Sequence, residues 1–111
     1  MPLLEKVRIE IYVPERREAR YQNLLEAIAD EFTEAFGGAT VQRGFEGRYL
    51  SDSGDKETEP MNLIYSDLPL NFGEHQREIS RYLDEIKEAA HEVLNEESIL
   101  VTARTIFHVE D

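Results

Sequence analysis

The chain has 111 residues, 41% of them hydrophobic and 32% charged, with 24 acidic side chains against 12 basic ones and a net charge of −12. That length suits a single domain with enough apolar material for a core, and six glycines with four prolines are too few for a linker or low-complexity protein. The acidity argues against nucleic acid and anionic membranes as partners, because each phosphate contact calls for a Lys or Arg and the longest basic cluster is Arg16-Arg17.

Lys6 to Val13 alternates with period two, Val7, Ile9, Ile11 and Val13 on one side and Arg8, Glu10 and Tyr12 on the other. This predicts a half-buried strand that Pro14 ends. From Glu15 to Phe36 the spacing becomes helical, with Tyr21, Leu24, Leu25, Ile28, Phe32, Ala35 and Phe36 on one stripe. Gly37-Gly38 stops that helix, since a left-handed C-terminal residue is easiest for glycine.

Thr40 to Leu50 reads as a second strand, with Val41, Phe45 and Tyr49 on one parity and Gln42, Glu46 and Arg48 on the other. Gly44 and Gly47 permit a bulge that would reassign those faces. Ser51 to Pro60 is a turn-rich charged connection, and Met61 to Leu68 a third strand forming a hairpin with the second. A loop from Pro69 to Gly73 offers Asn71 as a helix cap. A strongly negative amphipathic helix is predicted over Glu74 to Asn95, with Ile79, Tyr82, Leu83, Ile86, Ala90, Val93 and Leu94 inward, and a last strand over Ser98 to Val109.

Strand, helix, strand, strand, helix, strand packs most simply as an α+β ferredoxin-like sandwich. The expectation is one domain over residues 1–111, with a four-stranded antiparallel sheet of order 4-1-3-2 and both helices on one face. The alternative arrangement has the long hairpin reaching out to a neighbouring subunit. Without cysteine there is no disulfide, thiolate metal site or cysteine nucleophile, which suits a cytoplasmic protein. Met1 to Lys6 has no charged segment followed by an apolar run, and no apolar stretch approaches 18 residues, so neither a secretory signal nor a membrane span is expected.

One candidate constellation lies on the sheet face turned away from the helices. Arg8, Glu10 and Tyr12 are expected beside Thr102, Arg104, Ile106 and His108, with Asn62, Ile64 and Ser66 from the third strand and Glu46 and Arg48 from the second. Arginines beside carboxylates can clamp an anion bidentately, with a tyrosine as hydrogen-bond partner. The competing reading of the same residues is a set of cross-strand ion pairs on a surface or subunit interface. His108 is placed as a possible general base tuned by Glu10 or Glu46. Asp84, Glu88 and His91 share one helical face at metal-ligand spacing, but such sites need ligands from facing helices, so no metal and no cofactor is expected. No nucleophile elbow or phosphate-binding glycine loop is present, and no catalytic residue is assigned.

The order of elements resembles the ferredoxin-like superfamily. Gly37-Gly38-Ala39-Thr40 through Gly44-Phe45-Glu46-Gly47-Arg48-Tyr49 is similar to a pattern in short bacterial proteins of unknown function, which pair a glycine-terminated helix with a Gly-x-x-Gly strand. The resemblance implies association, since such domains with a bare sheet face often dimerise through it or build a barrel between subunits. Some hold a small molecule in the cavity formed.

The leading expectation is therefore a soluble homo-oligomer, a dimer for preference, with a binding or regulatory role and association through the sheet face. A second is a small-molecule enzyme or sensor with an anionic ligand bound by Tyr12, Glu46, Arg48, Asn62 and Arg104. A third is an adaptor whose acidic second helix docks on a basic protein.

Overall fold

The alternation at the start of the chain does what period two demands. Val7, Ile9, Ile11 and Val13 are 0–1% exposed, and they form the central strip of the sheet's inner face. The computed structural model describes residues 2–95 and 99–109, and Ser98, the expected start of the last strand, lies outside them. Its elements are β1 (Leu3–Pro14), α1 (Ala19–Phe36), β2 (Thr40–Leu50), β3 (Lys56–Leu68), α2 (Phe72–Leu94) and β4 (Leu100–Val109). The strands form one sheet in the order β2-β3-β1-β4, every neighbouring pair antiparallel, as the expected order 4-1-3-2 requires. The fold is the ferredoxin-like α+β sandwich.

Both helices cover the same face. Tyr21, Leu24, Leu25, Ile28 and Phe32 of α1 and Ile79, Ile86, Ala90 and Leu94 of α2 pack with the β1 strip, Ile64 and Leu68 into one core. Each fully buried side chain of this size contributes about 1.5–3 kcal/mol through removal from water.

Several element starts differ from the sequence expectation, each for a local reason, and β1 begins at Leu3, not at Lys6, because residues 3–6 pair with β4. α1 begins at Ala19, not at Glu15, because residues 15–18 are engaged elsewhere. The Glu15 N–H donates to the Pro60 carbonyl at 2.8 Å, and Gln22 Nε2 donates to Glu15 Oε1 and to the Arg16 carbonyl. β3 starts at Lys56, inside the segment read as a loop, because the hairpin needs no more turn than Ser51–Asp55, with Gly54 at φ +85°. α2 starts at Phe72, and Asn71 accepts the Glu74 N–H at 2.8 Å as its cap. Its counterpart at the end of α1 is Gly37, whose φ of +87° lets its N–H reach the Thr33 carbonyl.

The sheet is longer than its helical cover. β3 pairs with β1 only as far as Met61, yet pairs with β2 through Lys56, so the hairpin arms run on past the layer. At the other end, residues 3–6 pair only with β4. The result is an elongated body of 48 × 29 × 27 Å.

Where the helices meet, Tyr82 stacks edge-on against Phe36 at 5.4 Å and tilted on Phe32 at 6.5 Å. Burial first, then the charge of Glu31 with its 3.5 Å hydrogen bond, pushes the Tyr82 hydroxyl up to about 12 from 10. The protonated form is thus favoured in the folded chain. Its contribution is complete below the unfolded value and is lost as pH rises through 12. Tyr82→Phe is therefore expected to lose less stability than the natural chain between pH 10 and 12. Thermal unfolding followed across that range checks it, and parallel curves for the two proteins would count against it.

Candidate functional site

In an antiparallel ladder, directly opposed residues point to the same side. Tyr12 opposes Leu63 and Leu100, Glu10 opposes Tyr65 and Thr102, and Arg8 opposes Asp67 and Arg104. All nine stand on the face away from the helices. β2 adds Phe45, opposite Met61, and its ring meets Tyr12 edge-on at 6.1 Å. The open face is thereby built from all four strands.

Its centre is a charge-compensated band. Arg8 and Arg104 are directly opposed across the strands, an arrangement that repels unless each cation finds its own anion. Arg8 donates through Nε to Asp67 Oδ1 at 2.7 Å and through a terminal nitrogen to Oδ2 at 3.1 Å, and its guanidinium lies 4.1 Å over the Tyr65 ring. The Asp67 hydrogen bond holds that guanidinium above its ordinary affinity for the proton. Arg104 turns instead to Glu10, donating from Nε at 3.1 Å, and Thr102 Oγ1 approaches the same oxygen at 3.4 Å. Glu10 is 7% exposed and is held entirely within this band.

Apolar ground lies on one side of this band and a mixed patch on the other. Toward the hairpin are Tyr12, Phe45, Met61 and Leu63, with Leu100 54% exposed beside them. Toward the N-terminal end of β1, Ile106 opposes Lys6 and His108 opposes the exposed Leu4. The His108 Nε2 atom is buried and has no hydrogen-bond partner among the described residues. Glu10 stands opposite Thr102, six strand positions from His108 in register, and Glu46 pairs with Arg48 on the hairpin, so neither carboxylate is beside this imidazole as the sequence reading supposed.

Of the five residues expected to bind an anion, Tyr12 and Arg104 share the open face, four strand positions apart in register, roughly 13 Å. The other three require correction. Asn62 opposes Val13 and therefore points to the helix side, where it is 2% exposed; Ile64 and Ser66 go with it. Glu46 and Arg48 lie beyond a bulge between Gln42 and Phe45, in which Gly44 takes φ +69°. That extra residue moves Phe45 and Tyr49 onto the open-face parity and turns Glu46 and Arg48 away from it. There they are exposed on the projecting hairpin and pair with each other at 2.7 Å.

The open-face residues that sequence reasoning missed are Phe45, Met61, Leu63, Tyr65 and Asp67. For the four in β3 the signal was parity, odd numbers opposite to Ile64 and Leu68, whereas Phe45 reaches this face only through the bulge in β2. Asp84 and Glu88 stand exposed on the flank of α2, and among the described residues no three ligating side chains converge on a metal position. No helix among the described residues is long and apolar enough to cross a membrane.

No family model and no curated protein matches the chain. Solved structures do. CutA1 from Oryza sativa superposes with a TM-score of 0.62 at 16% identity, covering 96% of this chain and 84% of that one. The divalent cation tolerance protein CutA1 from Thermus thermophilus gives 0.57 at 15%, covering 91% and 82%. CPII from Thiomonas intermedia, bound to ADP, AMP and acetate, gives 0.57 at 12%, covering 99% and 94%. At such identities the likeness is one of fold, the ferredoxin-like arrangement of CutA1 and PII-like proteins over nearly the whole chain.

Proposed function

We propose that the chain is a small homo-oligomeric domain, at its simplest a cytoplasmic dimer, that associates through the open face of its sheet and serves a binding or regulatory role without catalysis. The observation that carries this reading is the band of Arg8, Asp67, Glu10 and Arg104, already neutralised within one subunit and bordered toward the hairpin by apolar side chains. Covering an unpaired charge costs several kcal/mol, whereas a satisfied pair loses far less on desolvation. Tyr12, Phe45, Leu63 and Leu100 then supply apolar area of the kind found at the centre of interfaces. A regulatory role draws support from the fold shared with the nitrogen regulatory PII-like protein of Thiomonas intermedia.

An anionic ligand on the same face is the second use of these residues. Both arginines already hold carboxylates, so such a ligand enters by displacing Glu10 or Asp67, with Tyr12 and Arg104 the remaining contacts of the original set. Binding there is secondary to association.

Sedimentation or light scattering tests the reading. At micromolar concentration the natural chain is expected to run at a multiple of its 12.9 kDa mass. Leu63→Asp places a charge among the apolar residues without touching the core, and is expected to weaken association at least tenfold with an unchanged circular dichroism spectrum. A natural chain that sediments as a monomer overturns the proposal.

A further inference from the structure

We propose that the cleft between α1 and α2 is a docking groove for a cationic amphipathic helix of a partner protein. Leu24, Ile28 and Ile86 keep 8–9% of their surface exposed, whereas every other hydrophobic residue of the described core is at 3% or less. All three lie in the floor of this one cleft. The core therefore comes to the surface between the helices. Ala27 of α1 and Ala89 of α2 are among its lining residues, and their side chains are too short to close over it.

Size decides what kind of occupant fits. The cleft has a volume of about 250 Å³ and an almost wholly apolar lining. Small-molecule sites run to roughly 300–1,000 Å³. This one is instead of the order of one or two large side chains, the anchor residues of a docked segment. Backbone satisfaction then favours a helix. The groove walls are helices whose own hydrogen bonds are internal, so an extended peptide would leave its backbone groups unpartnered there. A helix brings its groups already paired and presents anchors at i, i+3 and i+4 spacing.

Charge selects the partner's polar face. Glu31 and Glu85 stand on the rim. α1 carries four carboxylates against one arginine, and α2 six against three basic side chains. That arginine, Arg20, is paired with Glu18, while Arg77 and Arg81 line a neighbouring depression on α2 in which Glu74, Glu78, Asp84, Glu85 and Glu88 outnumber them. Lysines or arginines beside an apolar anchor complement this rim, and a second copy's equally acidic helix layer is repelled by it. The groove lies on the side of the sheet opposite to the proposed self-association, so either assignment can fail without the other. It gives the expected acidic adaptor helix a definite site and partner geometry.

The probe is a synthetic peptide of about 18 leucines and lysines, five helical turns, with leucines at i, i+3, i+4 and i+7. A control of the same composition is scrambled so that leucines fall all round the helix. Binding to the full chain is read by fluorescence anisotropy. The patterned peptide is expected to bind at least tenfold tighter than the scrambled one. Ala89→Phe, which fills the cleft at constant charge, is expected to lower its affinity at least tenfold. Should that variant unfold, the exposed pair Glu31→Lys and Glu85→Lys is expected to produce a similar loss. Equal binding of the two peptides, which attraction by net charge alone would give, overturns the proposal, and so does unchanged affinity in these variants. An Ala89→Phe chain that instead changes its oligomeric mass assigns the groove to a second copy and overturns it as well.

Discussion

Phe32→Ala is expected to cost about 3–5 kcal/mol of stability, the range measured for removing a buried phenyl ring. Phe32 has no exposed surface, and it lies against Phe36 at 6.0 Å and Tyr82 at 6.5 Å between ring centres. Above it the two helices are separated by the apolar cleft, so this aromatic cluster supplies much of what ties α1 to α2. Removing the ring would open the cleft downward into the core. Small domains are stable by about 5–15 kcal/mol, so the loss is a large share of the total. It should lower the melting temperature by roughly 10 °C or more. Urea titration gives the free energy directly. A loss below about 1 kcal/mol would mean that the helices close over the vacated volume, and that the cleft is not held open by the packing around Phe32.

The parts of this fold that were legible in the sequence are those where one face is apolar and the other is not. Val7, Ile9, Ile11 and Val13 against Arg8, Glu10 and Tyr12 left no ambiguity about β1. The stripes through Leu24 to Phe32 and Ile79 to Leu94 likewise allowed only amphipathic helices. With four strands and two one-sided helices, a sheet open on one face followed from packing.

Faces failed where polarity and burial part company. Asn62 and Ser66 read as solvent-facing because they are polar, yet they sit on the core side as hooks for neighbouring loops. Ser66 Oγ donates to the Gly38 carbonyl at 2.6 Å, holding the turn after α1, and Asn62 ties down the bulge in β2. A buried polar group stays buried only with a partner, and that partner comes from a distant part of the chain. β2 failed for a different reason. Val41 and Phe45 have the same parity in sequence but face opposite sides, because the bulge at Gly44 inserts one residue between them. Glycine signalled that a bulge was possible. Only the pairing with β3 fixes which residues it displaces. The ion pairs of the open face were hidden likewise, since Arg8 meets Asp67 across 59 residues of sequence.

Asn62→Leu is expected to cost about 1–3 kcal/mol, because it removes two hydrogen bonds of one buried side chain at once. The Asn62 Oδ1 atom accepts the Gly44 N–H at 3.0 Å, and its Nδ2 donates to the Glu15 carboxylate, which Gln22 also holds at 2.9 Å. Arg43, in the bulge itself, reaches back to Gln22 and Glu26 of α1. One buried amide thus joins the bulge, the start of α1 and the end of β1. Leucine has comparable bulk but takes the acceptor from the Gly44 N–H and leaves the Glu15 carboxylate to Gln22 and Arg43. Asn62→Asp separates the two hydrogen bonds. It keeps an acceptor for Gly44 but sets one carboxylate against another, so it too should destabilise at neutral pH. Two carboxylates in contact share a proton readily, and acidification toward about pH 4 restores a donor between them. Relative to the natural chain, the Asp variant should therefore recover stability on acidification while the Leu variant does not. Chemical denaturation at neutral and acid pH distinguishes them. If both variants respond to pH alike, the bond to Glu15 is not what fixes the bulge, and the hydrogen bond to Gly44 must account for the loss alone.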